Sequence, residues 1–191
     1  MIVKLKYRRV LVFALYMIFL TLLQALWPSA FTLSFVKPDF QMVYAILVGY
    51  VYLLQDGLVC ALIMGFMRDI LAGQVFGFGM FFLCLVVVCA HYALRNRLSQ
   101  NLFSYGLVVM VLTILFDLLF LGIQMILALT DHQYHYLVAP TVYLTERLIP
   151  QLILNLTTGI VIFGLSYYLG PYPRKQQKAW LNNRENRTSS I

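Results

Sequence analysis

The chain has 191 residues, 62% of them hydrophobic and 11% charged, against about 25% charged in an ordinary soluble domain. Almost all of the length goes into apolar runs, which excludes a soluble enzyme or binding domain and leaves no extramembrane stretch long enough to fold alone. The net charge of +7 comes without the interleaved basic and aromatic residues that suit nucleic acid, so the chain reads as an all-α integral membrane protein set in a lipid bilayer, with no nucleic-acid partner.

Residues 1–9 form a basic N-terminus, with Lys4, Lys6, Arg8 and Arg9 ahead of an apolar run. The pattern mimics a secretory signal. The run from Val10 to Leu26 is longer than a signal core, however, and Trp27-Pro28-Ser29-Ala30 lacks the small residue needed before a cleavage point, so an uncleaved first span is expected. Apolar runs predict six spans in a membrane domain over 10–169, at 10–35, 40–54, 58–71, 76–94, 103–129 and 148–169. The second and third are short, reaching roughly 22 Å of a hydrocarbon core near 30 Å thick. They read either as tilted spans or as one hairpin entering and leaving on the same side. A polar basic tail, 170–191, follows.

Lys4, Lys6, Arg8 and Arg9, then Arg95 and Arg97, then Arg174, Lys175, Lys178, Arg184 and Arg187 all fall on one side if both termini are cytoplasmic. Only Lys37, Arg68 and Arg147 fall elsewhere, which places them at the outer side. Trp27 and Tyr143 would mark the outer boundary, and Tyr92, Tyr105, Tyr167 and Tyr168 the inner one. Cys60, Cys84 and Cys89 sit within apolar runs without metal or redox spacing and read as small core residues.

Several polar residues stand out against this background. Lys37-Pro38-Asp39 opens the second span: proline suits the first turn, and an acid favours the positive end of the helix dipole. Asp56-Gly57 marks a tight hairpin. Gly65, Asp69 and Gly73 recur at four-residue spacing, continued by Gly77, so on a helix they share a narrow face that another helix can approach closely. Asp69 reads in two ways, as a charge set into a packing face or as a cap where a short span meets water. Asp117 falls midway along the fifth span, where a carboxylate is most costly, with Gln24, Asn155 or Arg68 as candidate partners. It is either an ion, proton or partner-helix site or a buried hydrogen bond that fixes register.

No catalytic, cofactor or metal site is expected. His132 and His135 in the outer loop lack a third ligand. Asp56-Gly57 and Asp69 resemble part of the aspartate motif of CDP-alcohol phosphotransferases, but Cys60-Ala61 and Gly73 stand where further motif residues belong. There is no nucleophile elbow, phosphate loop or H-E-x-x-H helix. The Asn155-Leu156-Thr157 sequon lies within a span and is set aside.

Taken in order, Lys37-Pro38-Asp39, the Asp56-Gly57 hairpin, the Gly65/Asp69/Gly73/Gly77 ladder and the intramembrane Asp117 resemble the bacterial rod shape-determining protein MreD family, over roughly 10–169. The resemblance implies a non-catalytic inner-membrane subunit of the rod complex, or elongasome, which directs lateral peptidoglycan synthesis and cell shape. It implies MreC as the partner, with MreB, RodA and a class B penicillin-binding transpeptidase acting alongside. Under it, the glycine ladder would let the third span lie against a partner or its own second span, with Asp69 as anchor and Lys37 and Arg147 as candidate counter-ions. The competing expectation is the substrate-binding membrane subunit of a vitamin-type transporter, with Asp117 lining a cavity.

Overall fold

The computed structural model describes residues 2–28, 31–33, 36–72, 76–94, 102–130 and 140–170. These are all helical apart from short connections and one isolated bridge between Leu33 and Val36. The helices are α1 (Ile2–Ala25), α2 (Phe40–Val51), α3 (Leu54–Ala72), α4 (Phe78–Cys89, prolonged by a π-helical turn at Ala90–Leu94), α5 (Leu102–Thr130), α6 (Pro140–Tyr143) and α7 (Ile149–Leu169). A second π-helical stretch, Leu144–Leu148, joins α6 to α7, so the two run on as one body. Among the described residues there are thus six helical bodies.

The bundle is organised around α2. All twelve of its residues are buried, including Gln41, Gly49 and Tyr50. A helix apolar on every side must be enclosed on every side, and α1, α3, α4, α5 and α7 all pack against α2. Glycine makes the tightest of these contacts possible: a β-carbon on Gly49 would come 2.8 Å from the Val87 carbonyl oxygen of α4. Gly57 of α3 lies against both Gly49 and Val87. The rest of the core is apolar and aromatic, with Tyr16 stacked on Tyr44 at 5.5 Å, Phe13 edge-on to Tyr52, and Phe82 edge-on to Phe116 at 4.9 Å.

Large apolar side chains also cover the outside. Leu15 and Phe19 of α1, Ile63 and Phe66 of α3, Val111 and Leu115 of α5, and Ile153 and Val161 of α7 are all exposed. Leu102–Leu119 and Leu144–Leu169 are each long and apolar enough to cross a membrane.

Several expectations need correction. The first helix ends at Ala25 instead of continuing to residue 35, because Trp27-Pro28 follows and the residue before a proline is pushed out of helical geometry. The second helix is shorter than the apolar run, twelve residues or about 18 Å, and the third is longer, nineteen residues. The turn between them is at Tyr52 and Leu53, so Asp56 and Gly57 belong to the first turn of α3 and form no hairpin. Tyr105 is not an interfacial marker: it is fully buried, donates to the Val43 carbonyl at 3.1 Å and stacks on Phe163. Tyr143 is buried as well, whereas Tyr92, Tyr167 and Tyr168 are exposed. Arg95, Arg97, the His132/His135 loop and the tail beyond 170 lie outside the described residues.

Candidate functional site

A helix start buried in an apolar bundle has backbone N–H groups that water cannot reach, and each left unpaired is costly. Side chains from two other helices and from the residue just before α2 meet this need at its start. The Asp39 N–H donates to Asn155 Oδ1 of α7 at 2.8 Å, and the Phe40 N–H to Gln24 Oε1 of α1 at 2.9 Å. The Met42 N–H donates to Asp39 Oδ1 at 3.0 Å, which makes Asp39 the N-cap and leaves Pro38 just ahead of the helix. The second oxygen, Asp39 Oδ2, accepts from Arg68 Nη1 of α3 at 3.0 Å. Arg68 also lies over the Phe82 ring of α4, with its guanidinium carbon 5.7 Å from the centroid.

Asn155 is fully buried and carries the network onward, since its amide nitrogen donates to Thr113 Oγ1 of α5 at 3.3 Å. Gln151, one turn earlier on α7, adds a long bond to Asn155 Oδ1 at 3.5 Å. On the other flank, Gln41 Nε2 donates to Thr21 Oγ1 of α1 at 3.1 Å. Asp39 and Asn155 thereby connect α2 to α3, α5 and α7 in one polar layer.

Asp69, the neighbour of Arg68, does the same for α4. Its oxygens accept the Gly77 N–H at 2.8 Å and the Gly79 N–H at 2.7 Å, and the side chain is almost wholly buried. A carboxylate at a helix N-terminus satisfies orphan donors and meets the positive end of the dipole. Of the two readings open in the sequence, the structure favours capping, but of the following helix and inside the protein. Neither Lys37 nor Arg147 takes the expected counter-ion position, since both Asp69 oxygens are bound to backbone. Lys37 is exposed, and Arg147, also exposed, lies over the Tyr143 ring at 5.3 Å.

The glycine ladder is not one helical face. Gly77 lies beyond the end of α3, at a φ of 93° that favours glycine, and begins α4. Gly73 lies outside the described residues. Gly65 does pack closely, but against α4 rather than α2: a β-carbon there would run into the Met80 Cα and come 2.5 Å from the Met80 nitrogen. Gly79 answers from the other side, where a β-carbon would lie 2.5 Å from Asp69 Oδ1.

Asp117 stands apart from these bonds. The expected partners Gln24, Asn155 and Arg68 are committed to Phe40, Asp39 and Thr113 as described, and none binds its carboxyl group. Asp117 is half-buried, its Oδ2 is buried without a hydrogen-bond partner, and its backbone carbonyl accepts from the Tyr143 hydroxyl at 3.3 Å.

The layer joins residues that sequence reasoning singled out (Asp39, Gly65, Asp69, Gly77 and Asn155) to Thr113, Gln151 and Gly79, which it passed over. Thr113 and Gln151 interrupt otherwise apolar stretches, which is the signal that could have marked them. Among the described residues no group of three or more His, Cys, Asp or Glu is placed to hold a metal ion. Chemically, the arrangement pairs Asp39 with a cation, gives Asp69 two backbone N–H donors, and so ties together the adjoining ends of α2, α3 and α4. Comparison with protein-family models, with curated proteins and with solved structures finds no match.

Proposed function

We propose that the chain crosses a bacterial cytoplasmic membrane six times with both termini in the cytoplasm. There it serves as a non-catalytic subunit of the rod complex that binds MreC and works with MreB, RodA and a class B penicillin-binding transpeptidase. Support for membrane embedding comes from the distribution of side chains, with apolar groups outward on α1, α3, α5 and α7 and hydrogen-bonded polar groups inward. That inversion suits a surrounding of lipid.

The observation that carries the role is convergence. Lys37-Pro38-Asp39 and the Gly65/Asp69/Gly77 motif are distant in sequence, yet Asp39 is paired to Arg68, whose neighbour Asp69 caps the helix that Gly77 begins. Lys37-Pro38-Asp39 and Gly65/Asp69/Gly77, which carry part of the MreD resemblance, therefore belong to one connected unit. In this reading the unit fixes the outer ends of α2, α3 and α4, and exposed Lys37 beside it is offered to MreC.

Capture of the tagged, full-length chain in mild detergent tests the proposal. MreC is expected to co-purify, and Lys37→Glu to reduce the yield of MreC with no change in the melting temperature of the captured chain. A folded, monodisperse protein that retains no MreC would refute it.

A further inference from the structure

Both carboxylates of the polar layer are bonded locally, Asp39 to Arg68 and the Met42 N–H, and Asp69 to the Gly77 and Gly79 N–H groups; Asp117 lies outside the layer. No hydrogen bond reaches its carboxyl group from Gln24, Asn155 or Arg68. Its Oδ2 is buried with no hydrogen-bond partner, and the residue as a whole is half-buried. The charges that act on it at longer range are Arg147 and Asp39. Arg147, which lies over the Tyr143 ring, attracts the carboxylate, and Asp39, bound to Arg68, repels it.

The surroundings of Asp117 define a surface. Its position on α5 is one turn beyond Thr113, which bonds to Asn155, so the flank on one side is covered by α7. Gly106, on that same flank, approaches Leu156 closely. On the other side Met110, Ile114, Asp117 and Leu121 follow at helical spacing as a stripe that is half-buried or exposed, with Leu118 exposed beside it. It is an apolar stripe of helical pitch with one acid in it. A charge placed in hydrocarbon is retained where a partner neutralises it, and Lys or Arg on a neighbouring membrane helix is the group of matching sign and reach.

We propose that the α5 stripe around Asp117 docks a single transmembrane helix of a partner protein whose Lys or Arg side chain pairs with the Asp117 carboxylate. This rests on the reading of the chain as a partner-binding membrane subunit and adds to it the face and the chemistry of contact. The partner helix lies along Met110, Ile114 and Leu121, and its cation pairs with the carboxylate that Gln24, Asn155 and Arg68 do not bind. The polar layer meanwhile stays closed, since none of its bonds is spent on the partner.

The test uses full-length protein in lipid nanodiscs and a synthetic leucine-alanine transmembrane peptide carrying one Arg, compared with the same peptide carrying Leu there. Binding is followed by energy transfer. The wild-type protein is expected to bind the Arg peptide about tenfold more tightly than the Leu peptide. Asp117→Asn should erase the preference, and Asp117→Lys should transfer it to a peptide with Glu in that place. Equal binding of the Arg and Leu peptides by inserted, folded wild-type protein overturns the proposal. Labelling of Asp117 by dicyclohexylcarbodiimide that the Arg peptide leaves undiminished also overturns it, because the occupant is then a proton. Failure of the wild-type chain to enter nanodiscs, or failure to capture MreC, would instead strike the underlying functional reading.

Discussion

Replacing Asp69 tests the polar layer most directly, because one side chain carries two bonds whose loss can be worked out. Asp69→Ala leaves the Gly77 and Gly79 N–H groups without acceptors at 2.8 and 2.7 Å, in a site where Asp69 itself is 3% exposed. Hydrogen bonds to a charged acceptor contribute about 1.5–3 kcal/mol each, which sets an upper range of about 3–6 kcal/mol. Chains unfolded within lipid find other partners, and measured polar contacts between membrane helices average nearer 0.6 kcal/mol with a maximum of about 1.7, which pulls the figure down. A loss of about 2–4 kcal/mol follows, well above the ~0.5 kcal/mol typical of surface changes.

Reversible unfolding in mixed micelles measures it. Asp69→Asn keeps one acceptor oxygen but turns an amide N–H₂ toward the second donor, so about half the loss is expected. The sharper check is coupling with Gly79, where an added methyl meets Asp69 Oδ1 at 2.5 Å. Gly79→Ala should be costly in the wild type and less costly when Asp69 is already Ala, giving a coupling of about 0.5–3 kcal/mol as expected for residues in contact. Strict additivity, or an Asp69→Ala protein as stable as the wild type, would refute the capping geometry.

Three further outcomes follow from the same contacts. Gly65→Ala places a methyl against the Met80 backbone, which no rotamer change relieves, so α3 and α4 must separate; a loss of about 1–3 kcal/mol in the same micelle assay is expected. Arg68→Met should destabilise by about 1–2 kcal/mol, since the pair is only partly exposed, with side chains at 28% and 13%. The double change with Asp39→Asn should recover part of the loss, because a lone partly buried charge costs more than none. For topology, Lys37→Cys in a background without the three native cysteines should react with a membrane-impermeant maleimide from outside the cell, and a cysteine placed at Ile191 only after lysis.

The sequence was most legible where long apolar runs meet clear boundaries. The last four predicted spans begin or end within a few residues of α3, α4, α5 and α7, since lipid-length runs leave little freedom. It was least legible where a residue serves two geometries. Glycine at four-residue spacing describes a helix face as well as it describes a helix end followed by a turn, and only tertiary structure packs Gly65 of α3 against α4 and puts Gly77 at a left-handed turn. The α2–α3 junction at Tyr52 and Leu53 has neither glycine nor proline, so nearby Asp56-Gly57 drew the boundary instead. Asp39 was readable as a helix start from Pro38-Asp39 alone, but its bond to Asn155 joins residues 116 positions apart and leaves no local trace.

That separation bears on how the protein is made. At about 5–20 residues synthesised per second, Asn155 emerges roughly 6 to 23 seconds after Asp39, the group whose backbone it receives. During that interval α2 lacks both its enclosing neighbours α5 and α7 and one acceptor for its first turn. A nascent chain stalled before α7 should therefore hold α2 in a provisional position, open to insertion factors or to proteolysis, and settle only when the last helix arrives.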